Sequence, residues 1–341
     1  MDVGLYMVAL HDRPLERALD DMVRWGITRA EVAAGGFVPT PHCPRGELLA
    51  DAGRRAAWLE EFGARGIFLS ALNVNGNPLH PDRAVADAHS RDIEEAIELA
   101  PLVGVDRIIV MPGAPGSGPG AVRTGWYVAP WETGLLDARD YQWDVAVAFW
   151  RRMAERAAER GVRICVEAHP HTVVYNVDTM LRLLERVGSA ALGVNLDPSH
   201  FFWQGIDPLR AIGRLRGRIW AAAAKDTLID PEAVALHGVL DDRFSRAAVD
   251  PYPLGGGYTV TLPPEDAPWR FAAVGRGHDA SWWRSFLGAL ADAGYGDAIS
   301  IEHEDVQMKV DEAIPYAVRT LHAAGAGADR VDRAPSDINM Y

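Results

Sequence analysis

The sequence predicts an α/β protein, a (β/α)8 TIM barrel with long insertions after the fourth and seventh strands. Three observations carry that prediction. Eight short apolar runs alternate with helix-length stretches along the chain, the pattern of a closed parallel sheet. Four of the runs, Ile164 to His171, Leu192 to His200, Ile219 to Asp226 and Ala298 to Asp305, break into Asp, Glu, His or Lys at their C-terminal ends. The active sites of such barrels lie at that face. No Gly-rich dinucleotide turn follows the first strand, so an open doubly wound sheet fits less well.

The elements follow in order. Gly4 to Leu10 reads as the first strand, ending at His11 and Asp12. Pro14 starts a helix over Leu15 to Trp25, and Gly26 closes it. The second strand, Arg29 to Ala34, carries Glu31 and stops at Gly35-Gly36. Three prolines make Phe37 to Gly46 a loop ahead of a helix from Glu47 to Arg65. Ile67 to Leu72 is the third strand, and it runs into Asn73, Asn75 and His80. A helix covers Asp82 to Val103, and Arg107 to Met111 is the fourth strand. The first insertion, about 112–140, is rich in Gly and Pro and then carries Trp126, Tyr127 and Trp131. It either packs on the barrel or forms a lid or partner surface. A helix from Tyr141 to Arg160 precedes the fifth strand, and another follows from Val177 to Val187. Gly193 to Asp197 is the sixth strand, Asp207 to Leu215 a short helix, and Ile219 to Ala224 the seventh strand. The second insertion occupies about 227–277. Helices over Ala280 to Ala293 and Lys309 to Ala323 flank a last strand, Ile299 to Ile301, and a polar tail starts near residue 325. The whole of 1–341 is expected to form one domain.

A formal charge of -13 disfavours a general nucleic-acid binder, because an acidic surface repels phosphate backbones. The N-terminus lacks a basic leader ahead of an apolar run, and no stretch approaches a membrane span. A soluble cytoplasmic protein is the expectation. Cys43 and Cys165 are the two cysteines, and Cys165 sits inside an apolar run as a packing residue.

Glu167, Asp197 and Glu302 end three of the strands. Any one of them suits a helix cap or a salt bridge. Three carboxylates converging on one barrel mouth repel one another unless a cation joins them. Mixed carboxylate and imidazole ligation suits Mn2+, Zn2+, Fe2+ or Co2+, and oxygen-only ligation suits Mg2+ better. One divalent ion, Mn2+ first, is the expected cofactor.

The motifs VEAHP, NLDPSH followed by FFWQGIDP, AKDT, GVLD and SIEHED resemble those of the xylose isomerase-like TIM barrel superfamily of sugar isomerases and epimerases. The resemblance runs from Gly4 to about Ala323. It implies Glu167, Asp197 and Glu302 as metal ligands, with His200 near the metal or the substrate. It also implies a histidine on the seventh strand, where this chain has Ala223. His278, in a Gly-rich segment ending the second insertion, is the expected replacement ligand; its plainer role is to neighbour the next helix cap. AAAKD, GRGHD, IEHED, LHDRPL, GGFVP and NGNPLHP together resemble the α subunit of bacterial C-glycoside deglycosidases. That branch implies 3-oxo-glycoside substrates and a small β subunit as partner.

His169 lies two residues beyond Glu167 and so on the same side of an extended strand. An imidazole with an ordinary pKa near 6.5 suits a base at neutral pH, and His169 is the expected base; the alternative is a hydrogen bond to a ligand carboxylate. Lys225 suits binding a substrate oxygen or protonating a leaving group, or else pairs with Asp226. Asn73, Asn75, His80, His171, His200 and Asp226 are the expected substrate contacts, although Asn and Gly after the third strand equally make a turn. The expected chemistry is removal of a proton α to a sugar ketone, followed by β-elimination that cleaves a 3-oxo-glycoside. Isomerisation or epimerisation of a keto sugar uses the same residues. A phosphoester hydrolase resembling endonuclease IV needs more histidines and a basic face. A metal-free binding subunit fits the missing strand-seven histidine but not the retained carboxylates.

Overall fold

The computed structural model describes residues 1–246, 253–255 and 257–327. Eight parallel strands close into a barrel: β1 (Asp2–Tyr6), β2 (Arg29–Ala33), β3 (Phe68–Asn73), β4 (Arg107–Val110), β5 (Arg163–Glu167), β6 (Leu192–Leu196), β7 (Ile219–Ala224) and an eighth barrel strand, Ala298–Ile301, which pairs with both β7 and β1. Helices cover the outside. Between barrel and helices lies a continuous apolar layer in which Trp150, Trp283, Phe62 and Phe286 are almost wholly buried.

The barrel interior is built of small groups. Ala71, Ile109, Cys165 and Ala221 pack there, with Glu31 and Ser300 lining a narrow cavity. Small side chains fill the taper and leave room for one polar layer above them. In that layer Asn73 donates to Glu31 at 2.7 Å, and its own carbonyl oxygen accepts the Asn75 backbone N–H at 3.0 Å.

Several elements depart from the sequence pattern. β1 stops at Tyr6, and Met7–Leu10 forms a 3-10 turn instead of continuing the strand. Met7 and Leu10, three apart, are both buried, a spacing that an apolar run satisfies as well as strand alternation does. The expected Glu47–Arg65 helix is two helices, Arg45–Ala50 and Ala52–Gly63. Asp51 breaks it by accepting from the Gly53 and Arg54 N–H groups as an N-cap. The helix after the first insertion begins at Thr133, eight residues early, and runs to Glu159. Gln142 on that helix is buried and bonds to the Pro115 and Gly125 carbonyls, which fixes the insertion to it. After β6 an extra turn, Ser199–Phe202, precedes the Pro208–Arg214 helix.

The second insertion leaves β7 as a strand, Asp226–Ile229, that pairs antiparallel with Trp269–Ala272. A helix, Pro231–His237, lies between them. Residues 247–252 and 256 of this insertion, and most of the tail expected from about residue 325, lie outside the described residues. Among the described residues no helix is long and apolar enough to cross a membrane.

Burial pushes the Glu31 carboxyl up to about 7, against the hydrogen bond from Asn73. The folded protein therefore holds a proton that the unfolded chain releases near 4.5. A proton held more tightly in the folded state makes stability fall as pH rises through that window. Glu31→Gln should be more stable than the wild type at pH 8, by at most about 3 kcal/mol, and nearly equal to it at pH 4. Urea unfolding at the two pH values measures this, and an equal difference at both rejects the assignment.

Candidate metal centre

The C-terminal ends of β5 and β6 bring Glu167 and Asp197 together. Glu167 ends β5 opposite Asn195 of β6, and Asp197 follows β6 directly. The Ser199 N–H donates to Asp197 Oδ1 at 2.8 Å and starts the short helical turn that carries His200 inward. Donor atoms of Glu167, Asp197 and His200 all lie within 4.8 Å of one another, and each residue is 1 % exposed. His200 Nε2 stands 3.3 Å from Glu167 Oε1 and 3.2 Å from Asp197 Oδ2.

Two of these atoms have no hydrogen-bond partner: Asp197 Oδ2 and His200 Nε2. Leaving buried polar atoms unpaired costs about 1–3 kcal/mol each, so an orphaned pair facing one point marks a place for a ligand. Burial pushes the Asp197 carboxyl up to about 7; Lys225 opposes this and the Glu167 charge adds to it. Burial and the neighbouring Lys225 charge hold His200 far below the usual histidine range, so its ring is neutral. Two carboxylates and a neutral imidazole form a donor set for a divalent transition ion. The residues fit the expected metal.

Around them is a supporting shell. Glu167 Oε2 accepts from Asn195 Nδ2 at 3.1 Å and from Asn75 Nδ2 at 3.3 Å. Asn195 is a contact that the sequence reading missed, although it lies two residues before Asp197 and alternation puts both on one side. Asn75 therefore stands in the site, whereas Asn73 sits one step below it against Glu31. The Asn75 side-chain oxygen is buried and unpaired as well.

Lys225 follows β7 and is 2 % exposed. Its ammonium does not pair with Asp226. It lies 3.0 Å from Glu302, 2.9 Å from Glu304 and 3.9 Å from Asp197, over the Phe271 ring at 4.3 Å. Burial works against its charge, but the surrounding carboxylates outweigh that and hold it well above the ordinary lysine value. Glu302, just past the eighth strand, is thus gathered to the cluster through Lys225, and burial raises its carboxyl strongly. Neither Glu304 nor Phe271 was singled out in the sequence; Glu304 shares the alternation that marks Glu302.

Asp226 turns away to a different task. Its buried carboxylate accepts from the backbone N–H groups of Thr227, Gly275, Gly277 and His278, at 2.9 to 3.0 Å, and from His278 Nδ1 at 2.7 Å. A Cβ on Gly277 would collide with the Thr227 carbonyl, so glycine is required there. The His278 ring stacks on Phe202, 3.8 Å between centroids, with Trp282 at 4.8 Å. His278 is therefore oriented through Nδ1, and it is His200 that joins Glu167 and Asp197 as the third converging donor.

His169 is half-buried with its ring 4.2 Å from that of His200. Its Nδ1 bonds to the Pro170 carbonyl at 2.6 Å. Burial, with His200 beside it, lowers its pKa to about 3. His171 adopts a left-handed backbone, φ 66°, and its ring packs on Trp126 of the first insertion at 4.8 Å. Trp126 also meets Tyr175 edge-on. A non-glycine residue in that conformation carries strain that the surroundings must hold. His80 uses Nδ1 to accept from Asp82 N–H at the start of the next helix and is not brought to the cluster by any contact.

Comparison with known proteins agrees with this architecture. Residues 28–324 match the family model described as xylose isomerase-like TIM barrel. A Bacillus subtilis (strain 168) protein, the uncharacterized YfiH, is 34% identical over 312 residues, covering 90% of this chain and 94% of that one. Among solved structures, a probable 3-DHS dehydratase, AsbF of Bacillus anthracis, superposes with a TM-score of 0.60 at 15% identity, over 94% of this chain and 99% of that one. The IOLI protein, solved with a bound zinc atom, gives 0.59 at 17% identity over 95% and 96%. L-ribulose 3-epimerase gives 0.56 at 17% identity over 98% and 99%. With a closed eight-stranded barrel and a family match over most of its length, the chain belongs to the xylose isomerase-like TIM barrel family.

Proposed function

We propose that this protein is a divalent-metal-dependent enzyme that removes a proton α to the ketone of an oxidised sugar, and that its reaction is β-elimination from a 3-oxo-glycoside. The observation that carries the reading is the orphaned pair, Asp197 Oδ2 and His200 Nε2, beside a neutral His169. Glu167, Asp197 and His200 would hold the ion, with Glu302 and His278 Nε2 as further donors. An ion held there supplies Lewis-acid polarisation of a ketone oxygen.

The chain's own groups do the rest. His169 has Nδ1 committed to the Pro170 carbonyl, so Nε2 is the nitrogen free to accept a proton. Taking the proton from sugar C2 sends the C–H electron pair toward the C3 ketone. Its return forms the C1–C2 double bond and expels the C1 substituent with its bonding pair. The Lys225 ammonium is the proton donor for that leaving group. Trp126, His171 and Tyr175 pack together beside the site, which suits a substrate larger than a monosaccharide. Asn75 offers an amide with an unpaired oxygen for a sugar hydroxyl, with His80 further out and Asn73 acting through Asn75. Trp131, Leu236 and Leu240 are among the most exposed large side chains, all on the insertions, and they support a protein partner such as the small β subunit that the sequence resemblance implies. Mn2+ is the proposed ion.

His278 presents the arrangement of a metal-ligand histidine, with one nitrogen donating to a buried carboxylate and the other left available. Manganese affinity, measured by equilibrium dialysis, should fall about a hundredfold or more in His200→Ala and about tenfold in His278→Ala. Full affinity in either variant removes that residue from the ligand set. The activity test is incubation of the manganese-loaded protein with 3-oxo-glucosides and, separately, free ketoses, followed by NMR in D2O. The expected result is release of the aglycone with an unsaturated 3-ketosugar. Interconversion of the free ketoses instead would make the enzyme an epimerase or isomerase. His169→Ala should keep the metal yet lose at least about a hundredfold of the exchange of the substrate C2 proton; undiminished exchange excludes His169 as the base.

A further inference from the structure

Three carboxylates, Asp197, Glu302 and Glu304, surround one buried ammonium, Lys225. A lysine ammonium next to a metal site is a rival for it, because it satisfies the same carboxylates that the ion needs. Lys225 cannot withdraw to solvent: it is 2 % exposed, and its head lies against the face of Phe271. Yet it has not collapsed onto Asp197. It sits 3.9 Å from Asp197 Oδ2, beyond hydrogen-bonding distance, while Glu304 and Glu302 hold it at 2.9 and 3.0 Å. Asp197 Oδ2 is consequently left without a partner. Glu304 is the member of this group that needs explaining. Among the described residues it belongs to no converging donor set and has its one ion pair with Lys225, and its side chain is 47% exposed.

We propose that Glu304 is a positioning residue that draws the Lys225 ammonium away from Asp197 and so keeps the Asp197–His200 edge open to a divalent ion. This rests on the metal reading above. Without the Glu304 charge, Lys225 has Glu302 and Asp197 as its remaining anionic neighbours, and the ammonium moves toward Asp197 Oδ2. The ion must then compete with a tethered cation.

The test is a double-mutant cycle on manganese affinity, since coupling between contacting residues shows as non-additivity. Manganese binding is measured by equilibrium dialysis for the wild type, Glu304→Gln, Lys225→Met and the double variant, with circular dichroism to check folding. Lys225→Gln replaces Lys225→Met if the apolar side chain disrupts the fold. The expected result is about a tenfold loss of affinity in Glu304→Gln, with less than about twofold loss when the same change is made on the Lys225→Met background. An equal loss on both backgrounds shows a direct charge effect on the ion and overturns the proposal. So does unchanged affinity in Glu304→Gln. A wild type that binds no manganese overturns the metal reading as well, whereas metal binding with an additive cycle overturns only the role given to Glu304.

Discussion

The arrangement of this protein depends on a concentration of buried negative charge at one end of a barrel. Glu167 and Asp197 are withdrawn from water beside Glu302, and a single buried lysine stands among them. Carboxylates in such a place stay ionised only when positive charge or hydrogen-bond donors surround them. The chain supplies donors with care. Two asparagine amides and a backbone N–H satisfy one oxygen of Glu167 and one of Asp197. The atoms left over, Asp197 Oδ2 and His200 Nε2, face each other at 3.2 Å. What remains unpaired is as specific as what is paired.

The fold makes that concentration possible. Parallel strands deliver their last residues to one face, and register pairs Glu167 with Asn195 across β5 and β6. The barrel below holds Ala71, Ile109, Cys165 and Ala221, so the polar layer rests on a mainly apolar floor. Within that layer a chain of contacts runs from Glu31 through Asn73 and Asn75 to Glu167. The high pKa of Glu31 and the electrostatics of the site thus share one stack of side chains. A charge gained at its base is felt at its top, since Glu167 is among the groups that raise Glu31.

Much of this was legible in the amino-acid sequence, for a physical reason. Strand periodicity and strand-end chemistry are local signals, so the eight strands and the placing of Glu167 and Asp197 at strand ends could be read from the order of residues, while the place of His200 came from the family resemblance. The helix from Val177 to Val187 has an Asn176 capping box and ends where its pattern ends. What could not be read depends on contacts between distant segments. Lys225 adjoins Asp226 in sequence but bonds to Glu302 and Glu304, past the end of the neighbouring eighth strand and almost eighty residues later. The recruitment of Asp226 as acceptor for a loop about fifty residues later has no local trace. Asp51, by contrast, was a visible breaker: a good N-cap residue inside an apolar pattern, where the cap prevailed over the longer helix.

The Asp226 knot has a wider meaning. The second insertion departs and returns through one antiparallel strand pair, and the knot ties both of its ends to the same carboxylate. The described residues between Asp230 and Pro268 lie outside that closure, joined to it by the Asp230 N–H to the Pro268 carbonyl and by Trp269 and Arg270 donating to the Val239 and Glu265 carbonyls. The segment is in effect a cassette. The contacts that orient His278 lie within the closure itself, at Asp226 and at 275–278. Diversity in what the mouth of the barrel recognises can therefore accumulate in a part of the chain that the chemistry does not depend on.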